Sequence, residues 1–160
     1  MLSGLEIGQV GLLAALGAYA GYMDVRFRKL PNMLCLVALA LGLGASFALG
    51  GTDGLLSALL HAVIALVLGM LLFAAGVIGG GDAKFYTGIA AWFALRDGLF
   101  LFVSVALSGL VLLLVWIITR RLVHKKGLKP EGDGVFDKLP YGVAISLGGV
   151  VAALMLGLRS

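Results

Sequence analysis

Two aspartates are the residues best placed to do chemistry. Only eight of the 160 residues are acidic, and Asp24 closes one long apolar run while Asp82 opens another. An ionisable group at the edge of a membrane span is costly and points to function by default. Asp24 falls where a helix ends, and there the macrodipole disfavours an anion. Asp82 falls where a helix begins, and there free N–H groups favour one. If the two helices meet, one carboxyl is pushed toward the acid role and the other toward the base. Two close carboxylates resist double ionisation and share a proton. That is the requirement for aspartic hydrolysis: one carboxylate takes a proton from water while the other protonates the carbonyl oxygen, with no covalent intermediate.

The neighbours of these two residues are informative. Gly79, Gly80 and Gly81 precede Asp82. Glycines there give backbone freedom and close approach, and an open edge would let an extended peptide substrate pair with Gly79 and Gly81. Lys84, two residues beyond Asp82, points away from it on a regular helix, so contact with a headgroup or substrate is expected rather than an ion pair. Arg26, Arg28 and Lys29 read as headgroup anchors. Pro31 starts a helix, and Asn32 is placed to bond the adjacent turn. His61, inside an apolar run and far from the aspartates, reads as a packed or hydrogen-bonded histidine. Cys35 reads as a small buried hydrophobe. Glu131, Asp133 and Asp137 suit either a basic peptide or a solvated loop, and their spacing is not that of a calcium loop. H-E-x-x-H, G-x-S-x-G and Walker A runs do not occur.

The elements that position these residues follow from composition. The chain is 61% hydrophobic and 12% charged, with 25 glycines. Ordinary soluble proteins run about 45–50% apolar and about 25% charged, so an integral membrane protein is expected. The periodicity and the breaks predict an all-α, single-domain architecture over 1–160 with six membrane helices. They lie near 5–23, 32–49, 55–78, 83–95, 98–119 and 139–158, with one substantial loop at 120–138. The first is read as a retained helix, because no Lys or Arg precedes it. Ten of the twelve basic residues fall in the odd-numbered loops. The positive-inside rule then places those loops in the cytoplasm and both termini outside it. The net charge of +4 is thus explained by topology, without a nucleic-acid partner. Glycines four apart, such as Gly17 and Gly21, read as helix-packing positions.

Three segments together resemble the type IV prepilin peptidases, a family of membrane aspartic proteases. They are Asp24-Val25-Arg26-Phe27-Arg28-Lys29-Leu30-Pro31-Asn32, then Gly79-Gly80-Gly81-Asp82-Ala83-Lys84 (the family's G-x-G-D-x-K), then Leu139-Pro140-Tyr141-Gly142-Val143-Ala144. The resemblance implies that Asp24 and Asp82 are the catalytic pair. It also implies that Pro140, Tyr141 and Gly142 line the substrate groove. The implied substrate has a short basic leader and a hydrophobic helix, and is cut at the cytoplasmic face without metal or organic cofactor. The chain lacks the extra cysteine-bearing domain of larger members, so it is similar to the minimal form serving Flp/Tad-type pili, and methyl transfer is not expected. An archaeal preflagellin-type peptidase, or another G-x-G-D membrane protease, is the alternative within enzymes. A small carrier or channel subunit whose carboxylates relay protons is the alternative of another class.

Overall fold

A computed structural model describes residues 4–125 and 141–157. Five helices account for almost all of them: α1 (Gly4–Phe27), α2 (Asn32–Ala74), α3 (Gly80–Ala90), α4 (Gly98–Lys125) and α5 (Tyr141–Gly157), with a 3-10 turn at Leu95–Asp97. No strand occurs among the described residues. Helix α4 runs on to Lys125, past the position where the sequence places the start of a loop. Most of that loop lies outside the described residues, and so does Pro140.

At about 1.5 Å per residue, a straight 43-residue helix would be about 65 Å long, twice the apolar thickness of a bilayer. Helix α2 is not straight. Gly51 takes φ 60° and ψ −148°, a conformation that disfavours any side chain. The chain folds back there: a Cβ at Gly54 would lie 2.5 Å from the carbonyl oxygen of Ser46, eight residues earlier. Helix α2 is therefore a hairpin of two halves, residues 32–50 and 52–74, matching two of the predicted helices. Gly51→Ala should lower stability by about 1–3 kcal/mol, as read from thermal unfolding in detergent.

Helix α3 sits in the crotch of this hairpin. Gly88 lies against the carbonyl of Cys35 on the first half, and Ala83 against Gly69 on the second. At 11 residues, α3 rises only about 16 Å. It ends in a tight turn that is hydrogen-bonded to both halves of α2. Ser46 Oγ donates to the Ala91 carbonyl at 3.0 Å, and Trp92 Nε1 donates to the Ala38 carbonyl at 3.0 Å. The Leu95 N–H donates to Ser57 Oγ at 3.0 Å. His61 Nδ1 lies 3.1 Å from the Phe93 carbonyl, in the role expected of a packed histidine. Each such group left unpaired in an apolar interior would cost several kcal/mol. The second half of α2 ends in a Schellman motif, with Gly76 at φ 74° and Val77 N–H bonded to the Leu72 carbonyl. That stop creates the short loop before Asp82.

The other helices close around α5. Helix α1 meets it where Gly17 admits Ser146, and α4 meets it where Gly148 lies against the Val105 backbone. Gly149 packs on Ile89 of α3. The shared core holds Leu13, Leu34, Phe85, Ile89 and Leu101. The outer faces of α2 and α4 are apolar, with Leu60, Val67, Leu71, Leu107, Leu110 and Leu114 exposed. Two helices, α2 and the Leu95–Thr119 stretch, are long and apolar enough to cross a membrane. An apolar exterior of this kind suits lipid rather than water.

Candidate active site

Asp24 lies in the last turn of α1 and Asp82 in the first turn of α3. Each is one residue outside the apolar span read from the sequence. The fold brings these two helix ends together beside the start of α5.

Asp24 is buried, at 8% exposure. Its Oδ2 accepts a 2.7 Å hydrogen bond from the backbone N–H of Gly142, at the opening of α5. The carboxylate therefore faces the positive end of a second helix, whatever the macrodipole of its own helix does. Arg28 supplies a positive charge from the same side. It closes α1 in the left-handed conformation at φ 54°, which lets the chain turn sharply after Asp24. Burial nevertheless dominates and raises the Asp24 pKa, against the lowering effects of the Gly142 bond and Arg28.

Asp82 is the third residue of α3, and its carboxyl reaches back to the N–H of Gly79, the N-cap. This is one half of a capping box. A Cβ at Gly79 would lie 2.7 Å from Asp82 Oδ2, so any larger residue there would displace the carboxyl. Burial raises the Asp82 pKa most, the Asp24 charge raises it further, and the Gly79 bond lowers it; the result is about 6. Burial raises both carboxyls, and the charge of Asp24 is one cause of the raised Asp82 pKa, so the two titrate as a pair.

Gly79 caps α3, and Gly80 and Gly81 form its first turn, where backbone N–H groups have no acceptor within the helix. Leu30 lies against Gly81, which brings the loop after Asp24 onto the loop before Asp82. A side-chain bond ties the helices that follow these loops: Lys84 Nζ of α3 donates to Asn32 Oδ1 of α2 at 3.1 Å. The sequence expects Lys84 to contact a headgroup or substrate, and here it holds the start of α2. Lys84→Met and Asn32→Ala should each lower the activity of this site by a similar factor, about two- to tenfold. The double variant should be no worse than either single one, as a double-mutant cycle of kcat/KM would show.

Tyr141 and Gly142 open α5 beside the pair. Tyr141 is half-exposed and shares a groove with Asp82, and Gly142 is buried against Asp24. Two residues escape a reading of the sequence alone. Tyr86, one helical turn after Asp82, lines the same groove, and its i+4 spacing was the available signal. Arg28 reads as an anchor until its charge is found beside Asp24.

Residues 11–114 match the model of the type IV leader peptidase family. The matched region holds both aspartates, the glycine run, Asn32 and Lys84. No curated protein and no solved structure matches.

Proposed function

Because the chain belongs to the type IV leader peptidase family, we propose that it is a membrane aspartic endopeptidase that removes the basic leader from Flp/Tad-like prepilins. The observation that carries this reading is the meeting of Asp24 and Asp82, from different helices, close enough for the charge of Asp24 to raise the Asp82 pKa. In this reading the chain crosses the cytoplasmic membrane six times with both termini outside, and the pair works at the cytoplasmic face. The positive-inside distribution of Lys and Arg supports that placement.

Asp24 acts as the base. Its carboxylate, steadied by the Gly142 N–H and by Arg28, takes a proton from water. Asp82 acts as the acid and gives its proton to the carbonyl oxygen of the scissile peptide. The water oxygen bonds to the carbonyl carbon. The proton on Asp24 then passes to the amide nitrogen as the C–N bond breaks, and Asp82 recovers its proton as the carbonyl reforms. A helix N-terminus under the base and a desolvated acid together separate the two roles.

The reaction needs the proton on Asp82. With the Asp82 pKa raised to about 6, kcat/KM should fall on the alkaline side with an apparent pKa near that value. The free pair sets this limb, so a pH profile of kcat/KM checks it. The reading itself is tested by co-expressing the chain with a Flp-type prepilin and following loss of the leader on a gel. No leader loss from any such prepilin, with the protein present in the membrane, would overturn it.

A further inference from the structure

Two grooves flank α5, and they differ in what they reach. One, of about 780 Å³, runs between α1 and α5 past Gly17, Gly21, Ser146 and Leu147, and neither aspartate lines it. The other, of about 740 Å³, is walled by the second half of α2, by α3, α4 and the opening of α5, and Asp82 and Tyr141 stand at one end of it. From there it continues past Tyr86, Leu68 and Phe102 to His61 and Gly98 at the far end of α3. Its lining is otherwise apolar, and its one histidine is turned to the Phe93 carbonyl. Helix α4 packs on α5 and on the 95–97 turn rather than along α2, so the groove opens sideways between α2 and α4.

We propose that this second groove holds the part of the substrate's transmembrane helix that follows the scissile bond. The inference rests on the peptidase reading and adds where the substrate lies. Three features of the groove fix the class of occupant. It begins at the carboxyl that would protonate the scissile carbonyl, so its occupant is continuous with the reacting peptide. It runs alongside α3, whose rise is about 16 Å, away from the charged ends and into the apolar layer. Among the described residues it has no charged group beyond Asp82, so it suits the apolar side of the cut and rejects the basic leader. Its volume is within the range of about 300–1,000 Å³ for a ligand site, enough for a few apolar side chains and not for a whole helix. The rest of the substrate helix would lie in lipid at the open side. Leu68 and Phe102, more than half exposed, would then be the side chains that select for apolar residues just past the cut.

The test uses the full chain in vesicles of phosphatidylethanolamine and phosphatidylglycerol. The probe is a precursor with a Lys/Arg-rich leader followed by an apolar helix of about 20 residues. In an Asp24→Asn background, which leaves the precursor uncut, Leu68, Phe102 and Leu147 are each replaced in turn by photoreactive benzoylphenylalanine. Adducts from positions 68 and 102, mapping to the first turns after the scissile bond, with none from 147, are expected. Adducts from 147, with lipid alone labelled from 68 and 102, would overturn the proposal. A kinetic arm keeps both aspartates. Leu68→Trp, which narrows the groove, should raise KM for the probe about tenfold with kcat nearly unchanged. If the parent protein cuts the probe and Leu68→Trp has the parent's KM, the groove assignment alone fails. If the parent cuts neither the probe nor any prepilin, the peptidase reading fails and takes the groove with it.

Discussion

Asp24→Asn and Asp82→Asn should each abolish leader cleavage, with kcat falling by about 10²–10⁴-fold or more. An amide cannot accept the proton of the attacking water in place of Asp24. Nor can it give up a proton to the scissile carbonyl in place of Asp82. The two losses should not add, because neither half of the pair works alone. Cleavage that survives either change would remove the shared-proton mechanism. Unfolding measurements keep this distinct from a folding defect. Asp82 keeps its proton up to about pH 6 in the folded chain, against an ordinary 3.8. Between those values the folded state binds more protons than the unfolded state, so stability falls as pH rises through the window and stays reduced above it. An asparagine carries no such penalty. Asp82→Asn should therefore unfold at a higher temperature than the parent above pH 6, with the gap closing below about pH 4. A variant that is inactive and more stable at neutral pH would mark Asp82 as held in a conformation that function requires and stability disfavours.

Gly142→Ala should be nearly as damaging, although it removes no chemical group. The new Cβ would sit 2.9 Å from Asp24 Oδ2 and 3.2 Å from its Cγ. The carboxylate would have to move off the Gly142 N–H, the bond that holds it against the α5 terminus. A displacement of about 1 Å in a reacting group costs on the order of 10²-fold in rate, and that is the expected loss in kcat. Losing a bond that favours the anion should also raise the Asp24 pKa further, so the acid limb of the pH profile should move up. Gly81→Ala is the matched control. A Cβ there would meet Leu30 at 3.6 Å, an ordinary contact, within a helix that alanine favours. Its activity should stay within about threefold of the parent. Equal damage from both changes would mean that the glycine at position 142 matters for backbone freedom and not for the place of Asp24.

Much of the frame is legible in the chain alone. An apolar composition, breaks at Gly50-Gly51 and Gly79–Gly81, and charges gathered in alternate loops suffice for an all-helical membrane architecture. These signals are local, since each depends on the residues within one span or one turn. The aspartates stand out for the same reason, because charge is scarce and these two fall at the ends of apolar runs. What the chain alone obscures is every relation between segments. The break at Gly51 is legible in the chain, and only the contacts of Gly88 with Cys35 and of Ala83 with Gly69 show that the two halves cradle α3. Lys84 and Asn32 look like two separate surface residues until their bond joins α3, which carries Asp82, to the start of α2.

The acid and base roles show the division most clearly. Types and spacing determine that two carboxyls lie at helix ends and that glycine must precede one of them. Helix direction along the chain counts only the dipole of each residue's own helix, which leaves the assignment of acid and base provisional. The N-terminus of α5, distant in sequence, meets Asp24 with a 2.7 Å N–H bond. Burial and the Asp24 charge raise the Asp82 pKa to about 6. A pKa depends on the charges and the solvent around a group, and in this chain those are supplied by helices that only packing brings together.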